Sequence, residues 1–247
     1  MRDASAKHRV LGIVPARGGS KGIPRKNIRL LDGKPLLAYT AAAALASACL
    51  SRVLLTTDDK EIAEVGKGAG LEVPFMRPAD LATDSTPMID VVLHTLQWVQ
   101  SRGEAYDAIC LLQPTSPLRS ARTIDRCISS LWERDVETVV SVRPVPSEYN
   151  PHWVYFATPD GLLEPSIKNA PLIPSRQELP PAYHRDGSVF VARSQIVMTR
   201  HSLYGSKTLG LLSPEEEAFD LDTEEQWELL ERSLNSREAG AGRQLQR

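Results

Sequence analysis

Five short runs of apolar and β-branched residues punctuate the chain: 10–14 (VLGIV), 52–57 (RVLLTT), 108–112 (AICLL), 138–142 (TVVSV) and 188–192 (SVFVA). Helical patterns separate the first four. Residues 35–47 read as a helix with Pro35 near its first turn, where a missing N–H costs little. Residues 59–67 follow Asp58, a suitable N-cap. Residues 86–101 are apolar at Ile89, Val92, Leu93, Leu96 and Val99, one face of a helix. Residues 122–132 form another. Continuously apolar strands alternating with helices require a mostly parallel sheet covered on both faces, a three-layer α/β fold. A chain of 247 residues fits one such domain with a small insertion.

The alternation breaks at 143–185, a stretch rich in proline and aromatics that includes Tyr149, Trp153, Tyr155 and Phe156. Proline excludes a central strand or a long helix there, and the aromatics are too many for a solvated linker. The segment reads as an insertion that packs on something, with a second subunit the natural partner. The pattern resumes at 188–192, and a last helix opens on a Thr223/Gln226 capping box. The expected organisation is an α/β domain over 9–142 and 186–234, a dimerisation insertion over 143–185, and flexible termini at 1–8 and 235–247.

Charge and leader signals narrow the function. With 29 Lys and Arg against 31 Asp and Glu, the molecule as a whole is not a nucleic-acid binder. Its first residues carry no apolar signal region, and no run reaches the length of a membrane span, so a cytoplasmic protein is expected. Cys49, Cys110 and Cys127 lack metal spacing and read as core thiols of a reducing compartment.

The chemistry concentrates in residues 14–27, VPARGGSKGIPRKN. Lys21 is followed by glycine, so this is no Walker A loop. Gly18–Gly22 formally fits G-x-S-x-G, but Pro24 obstructs the helix that a nucleophile elbow needs. Gly66, Gly68 and Gly70 terminate a helix. His184 and Asp186 have no activated serine to serve. What remains is a glycine-rich turn at the carboxyl end of the first strand, where ligands of open α/β sheets sit. Its N–H groups form an anion nest, and Arg17, Lys21, Arg25 and Lys26 add positive charge. Asp220 and Asp222, two apart, point to one face of an extended chain. Their mutual repulsion is relieved by a cation, although Asp222 also suits a helix cap. Gln113 either meets a ligand or caps backbone groups, and Arg77 either meets a ligand or pairs with Asp80.

PARGGSKGIPRKN closely resembles the N-terminal signature of the acylneuraminate cytidylyltransferases, the CMP-sialic acid synthetases. TTDD (56–59), RPADLATDSTPMIDVVLHTL (77–96), LLQPTSPLR (111–119), SRQELPPAYHRDGSVFV (175–191) and FDLDT (219–223) match further signatures in order. The resemblance spans 9–232. It implies a Rossmann-like nucleotidyltransferase that joins CTP to an acidic nine-carbon 2-keto sugar of the sialic-acid type, releasing pyrophosphate, and that works as a homodimer. By resemblance, Arg17, Gly18, Gly19, Ser20, Lys21, Lys26, Asn27, Arg77 and Thr86 meet the nucleotide. Gln113, Arg176 and Gln177 meet the sugar. Asp220 and Asp222 hold Mg²⁺, for which Mn²⁺ can substitute. Arg17, Lys21 and Asp222 form the expected catalytic set. Met88 departs from the small hydroxyl residue that some relatives carry near the base, and Trp153 and His184 from the Lys and Arg that in some relatives meet the sugar, so base selection stays open, as does the sugar among sialic acid, legionaminate, pseudaminate and Kdo. A non-catalytic nucleotide-binding module is the reading of a different class.

Overall fold

A computed structural model describes residues 8–19, 22–169 and 171–244, with side chains to 234. In chain order the elements are β1 (Val10–Pro15), β2 (Leu30–Leu31), β3 (Lys34–Pro35), α1 (Leu36–Leu45), β4 (Arg52–Thr56), α2 (Lys60–Gly68), α3 (Met88–Ser101) and β5 (Ala108–Leu111). There follow α4 (Ala121–Glu133), β6 (Thr138–Pro144), β7 (Tyr155–Ala157), β8 (Leu163–Pro165), β9 (Tyr183–Arg193), α5 (Ser194–Arg200), β10 (Thr208–Leu212) and α6 (Glu224–Gln244).

The main sheet has six strands in the order β10-β6-β9-β5-β1-β4. Every pairing is parallel except those of β9, which runs antiparallel to both β5 and β6. Alternation along β1 divides the core. Val10 and Val14 face a cluster with Leu37 and Ala41 of α1, Ile62 of α2, and Ile124 and Leu131 of α4. Leu11 and Ile13 face Val92, Leu96 and Val99 of α3 and Val197 of α5. Helices thus cover both faces, as the apolar strands require. A third cluster joins Ile23, Leu31 and Leu36 to Leu221, Trp227 and Leu230. It fixes the chain around 220–222 beside the segment that leaves β1.

Several boundaries differ from the sequence expectation. The cap of α2 is Asp59, not Asp58: the Asp59 carboxylate accepts from the N–H groups of Glu61 and Ile62. Helix α3 begins at Met88 rather than Thr86, because Pro87 biases the preceding residue away from helical geometry. The strand at 188–192 starts earlier, at Tyr183, and pairs with the end of β6 through Pro144. Within the insertion, β7 and β8 form a hairpin. Phe156, Leu162, Leu163 and Leu172 are exposed, the last at 87%. Internal bonds shape this arm: the Trp153 indole donates to the Ile173 carbonyl (2.8 Å) and the Asn150 amide to that of Pro180 (3.0 Å). The backbone of α6 continues past Asn235 to Gln244, and His8 stacks on Trp132 with ring centroids 3.7 Å apart. Among the described residues no helix is long and apolar enough to cross a membrane.

Candidate active site

The carboxyl ends of β1, β4 and β5 lie side by side, and a cleft of about 570 Å³, open to solvent, forms above them. Its walls are Pro15, Arg17, Lys26 and Asn27 from the β1 loop, Arg77 and Met88 from the β4 side, and Gln113, Pro114 and Thr115 after β5. Five of the residues singled out from sequence therefore converge: Arg17, Lys26, Asn27, Arg77 and Gln113. Ser20 and Lys21 lie outside the described residues.

The loop is folded by its own polar groups. The buried Asn27 amide donates to the Arg17 carbonyl (3.0 Å), tying the end of the loop to its start. The Gly18 N–H donates to Asp58 (3.1 Å). A Cβ on Gly18 would stand 2.7 Å from the Asp59 carboxylate and would have to push it aside. The basic residues divide by role. Arg17 reaches the cleft and pairs with Asp84 at 2.6 Å. Arg25 does not serve the cleft: it binds Asp59 and Glu61, clamping the start of α2, and its hydrogen bond holds the Asp59 carboxyl below the usual range. Arg29 binds Glu224 and lies over the Trp227 ring.

Arg77 is buried, and its charge faces Asp58 at 3.7 Å rather than Asp80. Its Nε and Nη2 have no hydrogen-bond partner. Burial lowers its pKa, and the nearby Arg17 lowers it further. A guanidinium kept dry and under-bonded beside a second cation is suited to an anionic or carbonyl-rich ligand. Thr86 is not among the residues lining the cleft. Its hydroxyl donates to the Asp80 carbonyl (3.2 Å) and accepts from the Thr83 N–H (3.1 Å), so it shapes the turn before α3.

Gln113 is held by its main chain. The Arg119 guanidinium, fully enclosed, donates to the carbonyls of Gln113 (3.2 Å) and Ser188 and to the Thr40 hydroxyl (2.8 Å). Burial pushes its pKa down to about 10, which leaves it charged at neutral pH. Opposite Gln113, β9 swells out of register with β6: Val140 pairs with Phe190 but Val142 with Arg185. Gly187, at φ 75°, occupies this bulge, and a Cβ there would meet Gln113 Oε1 at 3.5 Å and Asp220 Oδ2 at 3.8 Å. Asp186 anchors the bulge by accepting from Ser141, Ser213 and the Ser188 N–H. Arg119 and Gly187 carried no role in the sequence reading, and Asp58 only that of a helix cap. Arg119 at least stood within the quoted LLQPTSPLR segment.

Asp220 and Asp222 flank Leu221, whose N–H donates to the Thr115 carbonyl (2.9 Å). Burial, followed by the charge of Asp222, raises the Asp220 carboxyl above its usual range, against a lowering contribution from the Thr115 hydroxyl. Oδ1 of Asp220 is buried without a hydrogen-bond partner. Asp222 accepts from Lys26 Nζ at 3.1 Å, and the same ammonium donates to the Leu221 carbonyl at 2.8 Å. The cap of α6 is made by Thr223 and Gln226, which exchange side chain-to-main chain bonds of 3.3 and 3.0 Å. The Asp222 carboxylate faces Lys26 instead. Arg176 and Gln177 lie apart from the cleft, exposed on a short turn of the insertion, where Arg176 donates to Ser147 and Gln177 accepts from Ser175.

Residues 11–231 match a family model described as cytidylyltransferase. The chain is 37% identical over 228 residues to the CMP-N,N'-diacetyllegionaminic acid synthase of Legionella pneumophila, covering 92% of this chain and 96% of that protein. It is 30% identical over 222 residues to the N-acylneuraminate cytidylyltransferase of Escherichia coli, covering 90% of this chain and 51% of that longer protein. The pseudaminic acid cytidylyltransferase of Campylobacter jejuni is 29% identical over 86% of this chain and 90% of its own. Among solved structures, a CMP:2-keto-3-deoxy-manno-octonic acid synthetase complexed with CTP shares the fold with a TM-score of 0.68. It is 15% identical and covers 93% of this chain and 99% of that one.

Proposed function

This chain belongs to the cytidylyltransferase family, and from that premise we propose that it couples CTP to an acidic nine-carbon 2-keto sugar, giving a CMP-sugar and pyrophosphate. The observation that carries the reading is the convergence of Arg17, Lys26, Arg77 and Gln113 in one cleft at the strand ends. Three converging cations suit a triphosphate, which would displace or share their present partners Asp84, Asp222 and Asp58, and a main-chain-tethered amide beyond them suits a hydroxylated sugar.

In the reaction the anomeric oxygen of the sugar forms a bond to the α-phosphorus. The bond to the bridging oxygen breaks, pyrophosphate leaves with the electron pair, and the hydroxyl proton passes to solvent. The protein supplies position and countercharge. Arg17, with Lys21, would bind the β- and γ-phosphates and favour their departure. Asn27 fixes the loop that presents them. Arg77 and the residues near Thr86 would bound the base, and Gln113 would orient the sugar, with Arg176 and Gln177 joining it from the insertion.

Asp220 and Asp222 fit a divalent cation. Asp220 carries an orphaned buried oxygen, and no cluster of three His, Cys, Asp or Glu ligands exists among the described residues. Two carboxylates make a weak site that phosphate oxygens complete. Bound there, Mg²⁺ or Mn²⁺ supplies countercharge to the phosphates and lowers the pKa of the attacking hydroxyl. Asp222, now paired with Lys26, would hold the ion with Asp220, and Lys26 would then be available to phosphate.

The exposed apolar side chains of the insertion, Phe156, Leu162, Leu163 and Leu172, suit a homodimer contact better than solvent. Use of CTP would suit a cytoplasmic enzyme. Among sugars, the higher identity to the legionaminic acid synthase favours a diacetylated legionaminate as a second reading beside N-acetylneuraminate. A panel of nucleoside triphosphates and nonulosonic acids, read by pyrophosphate release, tests both. Turnover is expected with CTP and one or more of these acids. CTP binding without turnover on any of them would refute catalysis and leave a nucleotide-binding module.

A further inference from the structure

Arg143 sits at the carboxyl end of β6, opposite His184 of β9. Nε and Nη2 of its guanidinium are buried and have no hydrogen-bond partner. The carboxylate facing it is Asp186 at 3.8 Å, beyond hydrogen-bond reach. Asp186 is already committed to Ser141, Ser213 and the Ser188 N–H. Asp186 therefore offsets part of the charge of Arg143 without using its donors. The Arg143 side chain is partly exposed, but its two buried, idle donors cost free energy unless a ligand completes them.

Its place in the sheet says which ligand. Across the strand ends the order is Arg17 after β1, Gln113 after β5, the Gly187 bulge of β9, then Arg143 at β6. Arg143 stands outside the cleft described above, on the side away from Arg17. The two strand spacings between β5 and β6 amount to about 10 Å, the breadth of a sugar rather than of a bond. Gly187 leaves the space between Gln113 and Asp220 open. Arg143 faces Asp186, the chain neighbour of Gly187, so it flanks the space bordered by Gln113 and Asp220, where the anomeric carbon would sit. In a 2-keto sugar acid that carbon bears the carboxylate. A planar fork matches a carboxylate with two parallel bonds.

Resting on the proposed reaction, we infer that Arg143 binds the carboxylate of the sugar acid and is the residue that makes the enzyme demand an acidic sugar. Arg176 is bonded to Ser147 on the exposed arm and does not replace it.

The test compares wild type, Arg143→Gln and Arg143→Lys on the best sugar acid and on its neutral carboxamide, with CTP affinity measured by calorimetry. Arg143→Gln should raise the sugar KM about a hundredfold, as loss of one partner of a desolvated charge pair does, with CTP affinity changed less than about threefold. The preference of wild type for the acid over the amide should collapse in Arg143→Gln and recover in part in Arg143→Lys, which keeps charge but not the fork. If Arg143→Gln does not fold, the acid-to-amide ratio of Arg143→Lys should still fall by about tenfold. An unchanged ratio in a folded variant overturns the inference, and so does a parallel loss of CTP affinity, which would move Arg143 to the phosphates. A wild type that turns over no sugar acid overturns the underlying reaction and the inference with it.

Discussion

Gly22 lies so close to Asp222 that a Cβ on the glycine would stand 2.3 Å from the Asp222 carbonyl oxygen. The end of the glycine-rich loop and the irregular segment that carries Asp222, 200 residues apart in sequence, are thus pressed backbone to backbone. Lys26 bridges the same two segments through its bonds to Leu221 and Asp222. The contact explains this glycine by approach rather than by dihedral angle, since Gly22 is not among the glycines with positive φ. It also ties the glycine-rich loop to the chain that carries Asp220 and Asp222.

Gly22→Ala should therefore uncouple them. The loop must shift to admit the methyl group, at a cost of about 1–3 kcal/mol typical of overpacking. Turnover should fall more than tenfold while the far side of the sheet keeps its hydrogen-exchange protection. Full activity in a folded Gly22→Ala variant would show that the loop and the segment carrying Asp220 and Asp222 are not coupled in catalysis.

Arg17→Ala should lower turnover by about 10²–10³, the usual cost of losing one preorganised charge donor. Its ion pair with Asp84 is about one-third exposed, and such pairs contribute under about 1 kcal/mol, so the melting temperature should barely move. Lys21→Ala carries the same expectation from sequence. Steady-state pyrophosphate release beside thermal melting measures both, and unchanged turnover in both variants would remove the loop from the triphosphate.

Arg119→Met should behave in the opposite way, costing stability first. Three buried acceptors, the carbonyls of Gln113 and Ser188 and the Thr40 hydroxyl, would lose their donor. The net loss is about 3 kcal/mol after the relief of burying a charge. In a domain of this size that lowers Tm by roughly 6–12 °C. The sugar KM should rise because Gln113 and the Gly187 bulge are no longer tied together. Stability equal to wild type would contradict the network.

How much of this could be read from the chain alone follows from sequence distance. The glycine loop was legible because its glycines and cations are contiguous, and the parallel strands because burial on both faces leaves unbroken apolar runs. Strand β10 was missed because it lies at the sheet edge, where burial alternates and TLGLL does not stand out. Helix α5 was missed because seven residues are too few to display a period. Asp58 and Asp59 are equally good caps by type. Only the fold shows that Asp59 caps α2 while Asp58 reaches Gly18 and Arg77. The Arg119 bond to Ser188 spans 69 positions, beyond any local pattern. The cations 17–29 looked alike in sequence, yet Arg25 and Arg29 serve helix starts, because Asp59, Glu61 and Glu224 lie closer to them than the cleft does.

The two aspartates give the sharpest separation of roles. Asp222→Asn leaves the cap of α6 intact, since Thr223 and Gln226 make it, and loses only a partly exposed pair with Lys26. Stability should change by less than about 1 kcal/mol. Asp220→Asn should be neutral or stabilising at neutral pH. A carboxyl whose folded pKa is raised contributes stability that is present below its unfolded value and lost as pH rises through the folded one. At neutral pH that contribution is gone and the buried charge is a net cost. Both variants should nonetheless lose turnover at sub-saturating Mg²⁺, because each removes a charge that a two-carboxylate site needs. Chelation of wild type should abolish turnover without lowering Tm, and Mn²⁺ should restore part of it through the same oxygen ligands. If Asp222→Asn and Asp220→Asn both kept the Mg²⁺ dependence of wild type, the orphaned oxygen of Asp220 would need another explanation, and the metal would have to be held by the nucleotide alone.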